Sequence, residues 1–370
     1  MTYENPYMKG QILRELNILE TLRQRNPLVI CITNDVVRTF TANGLLAIGA
    51  SPVMSECSED LKDLIVHASA LLINIGTLTP DKVSYYKDAI ALAKKHEVPI
   101  VLDPVGCHAG AYRLSVVLDL IKTDAISLLR GNQSEIKAIY DALNINHKVD
   151  SSLSGKGVDG EQVEDSAIIT YRLARQINCP VVATGEEDYV SDGTRVFAVP
   201  HGHPIMTAVT GTGCLLGAVL AAFFSSYYPF MHNMSIGEFL AYALAYYGLA
   251  GESAVKVSGV KPGSFSVAFM DALYEFDDAM LLSGSRIRPV VVPDQLKVYF
   301  ISGTQDVGFN ESHLLDIVEA ACRGGVTCFQ FREKGIGTLE GQQKLELAQQ
   351  LKEICARYNV LYIINDDVDL

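Results

Sequence analysis

Short apolar runs alternate with amphipathic segments along this 370-residue chain, and this alternation limits the possible folds more than any other feature. Segments at 81–97 and 167–177 have helical periodicity and lie between runs of strand length. Those runs are LLINIG (71–76), PIVLDPV (99–105), AISLLRG (125–131) and PVVATG (180–185). Strands that alternate with helices predict an α/β fold, with a mostly parallel central sheet and helices on both faces. An Asp192-Gly193 turn adds a predicted antiparallel hairpin.

The composition permits a large core and argues against two classes of partner. Hydrophobic residues make up 49% of the chain and charged residues 20%. The formal net charge of -13 argues against nucleic acid, which needs a basic face. The longest apolar run, at 215–224, is too short to span a bilayer, and the charged N-terminal stretch lacks the apolar core of a secretory signal. We therefore expect a cytoplasmic protein without membrane contact. The eight cysteines include no C-x-x-C pair, so a zinc ribbon or thioredoxin motif is not expected.

Three polar residues stand where predicted parallel strands end together. Asp103 follows PIVL, Arg130 follows AISLL, and Thr184 ends PVVAT. Ligands of such folds collect at the carboxyl ends of the strands. A carboxylate there could hold Mg²⁺ through water, and an arginine could clamp phosphate oxygens. A turn or a helix cap explains Asp103 alone at least as well, so this residue by itself leaves both interpretations open.

Other residues near strand ends also have a functional and a structural interpretation. Glu135 could support the metal, or it could favour the first turn of a helix capped by Asn132 or Ser134, and both can hold at once. Asn34 directly follows a strand, as in a substrate loop or merely a turn. Met54 could line an apolar pocket or belong to the core.

The stretch TAVTGTGCLLGAV places two glycines and a cysteine before a helical pattern of small residues. Gly211 and Gly213 would let the backbone approach a ligand closely, and the free N–H groups of the following helix would point at it. A tight turn that packs a buried helix, with Cys214 as a small core residue, explains the same pattern. The residues alone do not decide between the two.

A second unit is predicted near the end of the chain. The stretch 284–295 breaks the helical pattern and is interpreted as a linker between a domain at 1–283 and a segment at 296–370. Strand-like runs then return as KVYFISG, VTCFQFREK and VLYIIND, with helical segments between them. This segment therefore contains about two and a half β/α units.

The first domain carries several stretches in a characteristic order. They are NPLVICITNDVVRTFTANGLLAIGASPVMSE, LLINIGTL, VPIVLDPVG, LLRGNQSEI, GKGVD, VVATGEEDYVSDG, HPIMTAVTGTGCLLGAV and KPGSFSVAFMDALY. With them, residues from about 20 to 283 resemble the hydroxyethylthiazole kinases, ribokinase-like enzymes of thiamine salvage. The stretch near 144–165 looks longer than the usual loop of that family.

This resemblance implies a ribokinase-like fold, a homotrimer with sites at the subunit interfaces, and transfer of the ATP γ-phosphate to 4-methyl-5-(2-hydroxyethyl)thiazole. It also implies roles for individual residues. The implied contacts are Met54 and Gly211 with the thiazole alcohol, Arg130 and Thr184 with ATP, and Asp103 and Glu135 with Mg²⁺.

Cys214 occupies the position at which many ribokinase-like enzymes carry an aspartate as catalytic base. A free thiol has a pKa of about 8.5, against about 3.9 for aspartate, so a thiol is the weaker source of a base at neutral pH. Phosphoryl transfer depends mostly on positioning and charge stabilisation. We therefore expect Cys214 to face the acceptor hydroxyl as a weak base or polar spacer, without a covalent intermediate.

The C-terminal segment resembles the opening strands of thiamine phosphate synthase, a TIM-barrel enzyme, through KVYFISG, RGGVTCFQFREK and VLYIINDDVDL. The resemblance implies pyrimidine diphosphate binding by Gln330, Arg332, Lys334 and Asn365, and Mg²⁺ binding by Asp366. A barrel of eight strands needs about 200 residues or more. We therefore expect residues 296–370 to form a partial barrel without catalysis of its own.

Two other functions remain open. One is a different ribokinase-like vitamin-precursor kinase, such as a hydroxymethylpyrimidine kinase. The other is a non-catalytic sensor of thiazole or nucleotide.

Overall fold

The computed structural model describes residues 16–144, 161–232 and 234–366. Most of the predicted long loop near 144–165, including the GKGVD stretch, lies outside the described residues. The chain separates into two compact units, one formed by Asn17–Val290 and the other containing the described residues from Val291 onward. Among the described residues, no helix is both long enough and apolar enough to cross a membrane.

Within the described residues, the first unit is built on a nine-stranded sheet. The strands are β1 (Leu28–Ile32), β2 (Ser51–Met54), β3 (Ala70–Asn74), β4 (Ile100–Asp103), β5 (Leu128–Asn132), β6 (Val181–Thr184), β7 (Asp188–Ser191), β8 (Val196–Val199) and β9 (Arg288–Val290). Their order is β2-β1-β3-β4-β5-β6-β7-β8-β9. The strands from β1 to β6 pair in parallel, whereas β7, β8 and β9 are antiparallel to their neighbours. The predicted mostly parallel sheet and the hairpin at Asp192-Gly193 are confirmed.

Helices cover both faces of this sheet. They are α1 (Ile18–Arg25), α2 (Arg38–Ile48), α3 (Ser58–Leu64), α4 (Pro80–Lys95), α5 (Ala111–Ile121), α6 (Gln133–Asn144), α7 (Glu161–Ile177), α8 (Thr212–Ser225), α9 (Ile236–Ser258), α10 (Pro262–Glu275) and α11 (Asp278–Gly284). Leu71 and Ile73 join a core with residues from α3 to α7. Leu72 points to the opposite face because side chains alternate along a strand, and it lies against Gly217 of α8.

Part of the stretch interpreted as a linker belongs to the sheet. Arg288–Val290 forms β9 and pairs with β8, with Val290 opposite Val196. The β-branched run PVVV has high strand propensity, which explains why the chain remains extended here. The domain boundaries at 283 and 296 stay predictions.

The second unit contains a three-stranded parallel sheet in its described residues. Its elements are β10 (Tyr299–Ser302), α12 (Glu311–Arg323), β11 (Cys328–Phe331), α13 (Gly341–Arg357) and β12 (Leu361–Ile364), with strand order β10-β11-β12. Phe329 and Phe331 pack into a core with Leu314, Leu347 and Leu351. The predicted β/α segment is confirmed.

Candidate functional site

Polar side chains meet at the carboxyl ends of the central strands of the first unit. Asn74 and Asp103 are the last residues of β3 and β4, and their Cα atoms are partners in the strand register. Both side chains are fully buried, although most of their strand neighbours are apolar. Buried polar groups at this edge of a parallel sheet mark a candidate ligand site.

Asp103 has one engaged and one free carboxylate oxygen. Its Oδ2 accepts a hydrogen bond of 2.8 Å from Asn74 Nδ2 and lies 3.5 Å from Arg130 Nη1. Its Oδ1 is buried without a hydrogen-bond partner. Burial raises the pKa of Asp103 from 3.8 to about 7, although the attraction of Arg130 opposes the rise. An orphaned oxygen on a carboxylate with so high a pKa is costly for folding, which favours a role in binding.

The two predicted ATP-binding residues are in direct contact. Arg130 is 7% exposed, and its Nη2 donates a hydrogen bond of 3.0 Å to Thr184 Oγ1. The Thr184 hydroxyl in turn donates to the carbonyl oxygen of Gly131, at 3.3 Å. Arg130 Nε is buried without a partner. The guanidinium therefore joins Asp103 to Thr184 and keeps one N–H free.

Glu135 caps the start of α6. Its backbone N–H donates to Asn132 Oδ1 at 2.8 Å, and its Oε2 accepts from the backbone N–H of Asn132 at 2.7 Å. This reciprocal pair is a capping box. Oε1 accepts from the backbone N–H of Gly106 at 2.7 Å, so both oxygens are already hydrogen-bonded. The capping interpretation is confirmed, and the metal-supporting role of Glu135 stays a prediction.

Cys214 lies near the start of α8, as its third residue. The preceding Gly211 has a φ of 101°, which favours glycine, and a Cβ atom there would lie 3.0 Å from the Phe40 ring. The Cys214 thiol is half-buried, and its Sγ accepts a hydrogen bond of 3.3 Å from Asn34 Nδ2. Burial raises the pKa of this thiol, and the charge of Asp103 raises it further, while hydrogen bonds from Asn74 and Asn34 act in the opposite direction.

Met54 lies apart from the buried polar groups in the sheet order. It is the half-buried last residue of β2, which is an edge strand of the sheet. β1 separates β2 from β3, and the Cα partner of Met54 is Cys31 of β1. The predicted pocket role of Met54 stays a prediction.

Sequence reasoning missed two residues of this cluster. Asn74 accepts from Asn34 Nδ2 at 3.2 Å and donates to Asp103. The sequence feature that could have identified Asn74 is that it is the one polar side chain in the apolar run LLINIG. Asp188 begins β7, and burial raises its pKa to about 7, against the lowering effects of a Gly185 N–H and of Arg130. In the sequence GEEDYV this aspartate follows two glutamates, so nothing distinguishes it from an exposed acidic turn.

In the second unit, the structure brings two predicted residues together. Lys334 Nζ and Asp366 Oδ2 form an ion pair, which lowers the pKa of Asp366. Asn365 Nδ2 is buried without a partner, whereas Arg332 is exposed. Gln330 is half-buried in β11, between Ile301 and Ile363 in the register.

Sequence reasoning also missed Glu333 in this unit. Its carboxylate accepts from the backbone N–H of Thr304 at 2.9 Å and from that of Leu339 at 3.1 Å. It therefore ties the loop after β10 to the loop after β11. Across the part of the chain that the structure describes, no group of three or more His, Cys, Asp or Glu side chains is arranged to hold a metal ion.

Comparison with known proteins assigns the chain to a family. Residues 19–279 match the family model of the hydroxyethylthiazole kinase family. The chain belongs to the hydroxyethylthiazole kinase family. Residues 298–370 match the model of thiamine monophosphate synthase.

Individual relatives agree with the match over the first unit. The hydroxyethylthiazole kinase of Streptococcus agalactiae serotype Ia is 49% identical over 265 residues, which cover 71% of this chain and 98% of the relative. That of Streptococcus suis is 47% identical over 256 residues, or 69% of this chain and 93% of the relative. The solved hydroxyethylthiazole kinase of Pyrococcus horikoshii OT3 is 35% identical, with a TM-score of 0.65 over 76% of this chain and all of that structure. The fold of the first unit is ribokinase-like.

Proposed function

We propose that the first unit transfers the γ-phosphate of ATP to the hydroxyl of 4-methyl-5-(2-hydroxyethyl)thiazole. The observation that carries this proposal is the buried polar cluster at the strand ends of a hydroxyethylthiazole kinase fold. An acidic residue with a free oxygen, an arginine with a free N–H and a thiol at a helix N-terminus meet there. Phosphoryl transfer to an alcohol uses a carboxylate for the metal, a cation for the phosphate oxygens and a group beside the attacking hydroxyl, and these three groups could serve in those roles.

The ATP end of the site is formed by Arg130 and Thr184. A guanidinium that is 7% exposed and keeps an unpaired Nε–H is suited to a phosphate oxygen, because a charge-assisted hydrogen bond would satisfy the buried donor. The Thr184 hydroxyl holds the guanidinium in place at 3.0 Å. Attraction between Asp188 and Arg130 favours the charged forms of both side chains.

Asp103 and Glu135 would organise Mg²⁺. When bound, such an ion would supply positive charge that stabilises the phosphates during the transfer. Asp103 Oδ1 suits a metal-bound water because it is buried and lacks a partner. Both oxygens of Glu135 accept hydrogen bonds from backbone N–H groups. Glu135 would therefore contact the ion through a water molecule and not directly. Magnesium sites commonly contain one or two carboxylates and several waters.

The thiazole alcohol would occupy the space near Gly211, Cys214 and Asn34, with Met54 beside its ring. The hydroxyl oxygen attacks the γ-phosphorus, the bond to the β-phosphate oxygen breaks, and ADP leaves. The alcohol proton passes to the Cys214 thiolate or to water. The N-terminal N–H groups of α8 face the transferred phosphate and stabilise its charge. No bond between phosphorus and sulfur is needed.

We infer a homotrimer and a cytoplasmic location for this enzyme. Met54 lies on the edge strand β2, where a neighbouring subunit could complete its pocket. Leu46, Val267 and Tyr274 are 58%, 65% and 71% exposed on α2 and α10, two helices that contact each other, and a neighbouring subunit would cover them. Cytoplasmic ATP would supply the phosphate. Sedimentation velocity of the purified protein would measure the oligomeric state.

For the second unit, we propose weak binding of a pyrimidine diphosphate. Gln330, Arg332, Lys334 and Asn365 would contact the ligand, and Asp366 would bind its Mg²⁺. The unpaired Nδ2 of Asn365 supports this proposal, as does the ion pair between Lys334 and Asp366, which diphosphate and metal would separate. Isothermal titration with the pyrimidine diphosphate, with and without Mg²⁺, would test it.

A panel of acceptor alcohols tests the kinase proposal. Purified protein with MgATP is offered the thiazole alcohol, hydroxymethylpyrimidine or pyridoxal, and phosphate esters are measured by mass spectrometry. We expect the thiazole ester to form fastest. A faster pyrimidine ester would identify the other vitamin-precursor kinase, whereas ATP binding without any ester would identify a sensor.

A further inference from the structure

We propose that Asn74 is a positioning residue of the kinase, whose amide orients Asp103 on one side and Asn34, with the Cys214 thiol behind it, on the other. This inference rests on the proposed function. Asn74 is 0% exposed and ends the central strand β3. Its side-chain hydrogen bonds all go to residues of the site or to the loop that follows its own strand.

A backbone N–H fixes which way the Asn74 amide faces. The N–H of Gly76 lies 3.0 Å from Asn74 Oδ1, and a backbone amide can only donate, so the oxygen must face the loop. The nitrogen then faces Asp103, at 2.8 Å from its Oδ2. A flipped amide would place two donors together at the loop and two acceptors together at Asp103. The orientation of Asn74 therefore follows from the fold itself.

The first consequence concerns the carboxylate of Asp103. Asn74 and Arg130 both contact Oδ2, which leaves Oδ1 buried and free. Without the Asn74 donor, rotation of the carboxylate would let either oxygen face Arg130. Asn74 thus determines that one defined oxygen is available for the ligand.

The second consequence concerns the thiol. Asn34 Nδ2 lies 3.2 Å from Asn74 Oδ1 and 3.3 Å from Cys214 Sγ. Because Asn74 presents its oxygen, Asn34 must present its nitrogen, and the sulfur is the acceptor. Asn34 also packs closely against Gly76, because a Cβ atom on Gly76 would lie 2.8 Å from Asn34 Cβ. Gly76 and Asn34 therefore both donate to Asn74 Oδ1, and the same Asn34 nitrogen also donates to Cys214 Sγ at the acceptor end of the site.

A structural role alone explains this residue poorly. A leucine of similar size would bury apolar surface in an otherwise apolar strand, whereas a buried amide must satisfy each of its polar atoms. Apart from the backbone N–H of Gly76, the amide is satisfied by side chains that the proposed reaction uses. Small errors in the placement of such groups reduce turnover far more than they reduce binding.

The test compares Asn74→Leu and Asn74→Asp with Thr170→Val in the full chain. Thr170 is fully buried and donates a hydrogen bond of 2.7 Å to its own helix, so its loss reports the cost of one buried hydrogen bond outside the site. Asn74→Asp has the same shape and keeps an acceptor for Gly76 and Asn34, but it replaces the amide donor with a second carboxyl group beside Asp103. The kcat, the KM for both substrates and the melting temperature are measured for each variant.

We expect both Asn74 variants to lose about 10- to 100-fold in kcat while the KM for ATP changes less than about threefold. Thr170→Val should keep the wild-type kcat even if its melting temperature falls as far as that of the Asn74 variants. Folded Asn74 variants with wild-type kcat would overturn the inference. So would failure of both variants to fold, because Asn74 would then serve the fold. A wild-type protein that cannot phosphorylate the thiazole alcohol would overturn the proposed function, and this inference with it.

Discussion

The polar residues at the strand ends differ in burial between the two units. In the first, Asp103 is 0% exposed, and α8 lies so close that a Cβ atom on Gly217 would be 3.3 Å from its Oδ2. In the second, the side chains of Lys334 and Asp366 are 47% and 66% exposed. Parallel strand ends thus bring polar groups together in both units. In the first unit, the helix α8 also encloses these groups.

Burial reverses the electrostatic effect of an adjacent cation. Arg130 stands beside Asp103, yet burial raises the pKa of this carboxyl to about 7. Lys334 stands beside Asp366, and with little burial its hydrogen bond lowers the pKa. The enclosed carboxylate is costly to ionise, which suits a group that awaits a metal and phosphates.

Substitutions at the enclosed site should give the largest effect. We expect Asp103→Ala to lower Mg²⁺-dependent turnover by about 100- to 1,000-fold, because it removes the free carboxylate oxygen. Arg130→Ala should raise the KM for ATP. Glu135→Gln is preferred to Glu135→Ala, since alanine would also remove the α6 cap. Steady-state kinetics measure all three.

Asp366→Ala in the second unit is the matched control for these variants. Its kinase turnover should stay within about twofold of wild type, since its ion pair with Lys334 lies outside the first unit. Near-wild-type kinetics in the first-unit variants, or a comparable loss in Asp366→Ala, would contradict the assignment of the site.

The pH dependence of stability should differ between the two aspartates. With a pKa raised from 3.8 to about 7, native Asp103 holds a proton that the unfolded chain has lost. The free energy of unfolding therefore falls as pH rises from about 4 to about 7. An asparagine at this position cannot ionise, so Asp103→Asn should be more stable than wild type at pH 8 by up to about 4 kcal/mol, and equal to it near pH 4.

Asp366→Asn should give a smaller change of the opposite sign, because a lowered pKa stabilises the native state above the unfolded pKa and loses this effect as pH falls. Urea unfolding at pH 4 and pH 8, in the presence of a chelator, measures both variants. An Asp103→Asn protein less stable than wild type at pH 8 would show that the buried charge is well compensated.

Removal of residues 296–370 should have the smallest effect. Every predicted kinase residue precedes Ser283, and β9 is retained in the shortened protein. We expect its kcat for the thiazole alcohol to stay within about twofold of the full chain. A polypeptide of the 370 residues should form no thiamine phosphate from the two phosphorylated precursors. Product formation, detected by fluorescence after oxidation, would contradict the partial-barrel interpretation.

The sequence predicted the alternation of elements and most of the site, because hydrophobic periodicity and strand ends are local signals. Asp103, Arg130 and Thr184 could be named from the strands they follow. Asn74 could not, because its importance depends on the loop N–H of Gly76 and on Asn34, which is 40 residues away in sequence. β9 was missed because its partner β8 lies about 90 residues earlier. Such pairings arise only from tertiary structure.

The central claim is that the enclosed cluster of the first unit performs the phosphoryl transfer, with Cys214 facing the acceptor hydroxyl. The most direct test is the kcat of Cys214→Asp and Cys214→Ala at saturating MgATP and thiazole alcohol. Even an aspartate whose pKa is raised to about 7, as at Asp103, is about half ionised at pH 7, whereas burial raises the pKa of this thiol above its usual value, so the aspartate should be the better base. We expect Cys214→Asp to keep or raise kcat and Cys214→Ala to lower it by about 10- to 1,000-fold. A Cys214→Asp protein that is folded and binds ATP but is inactive would contradict the account.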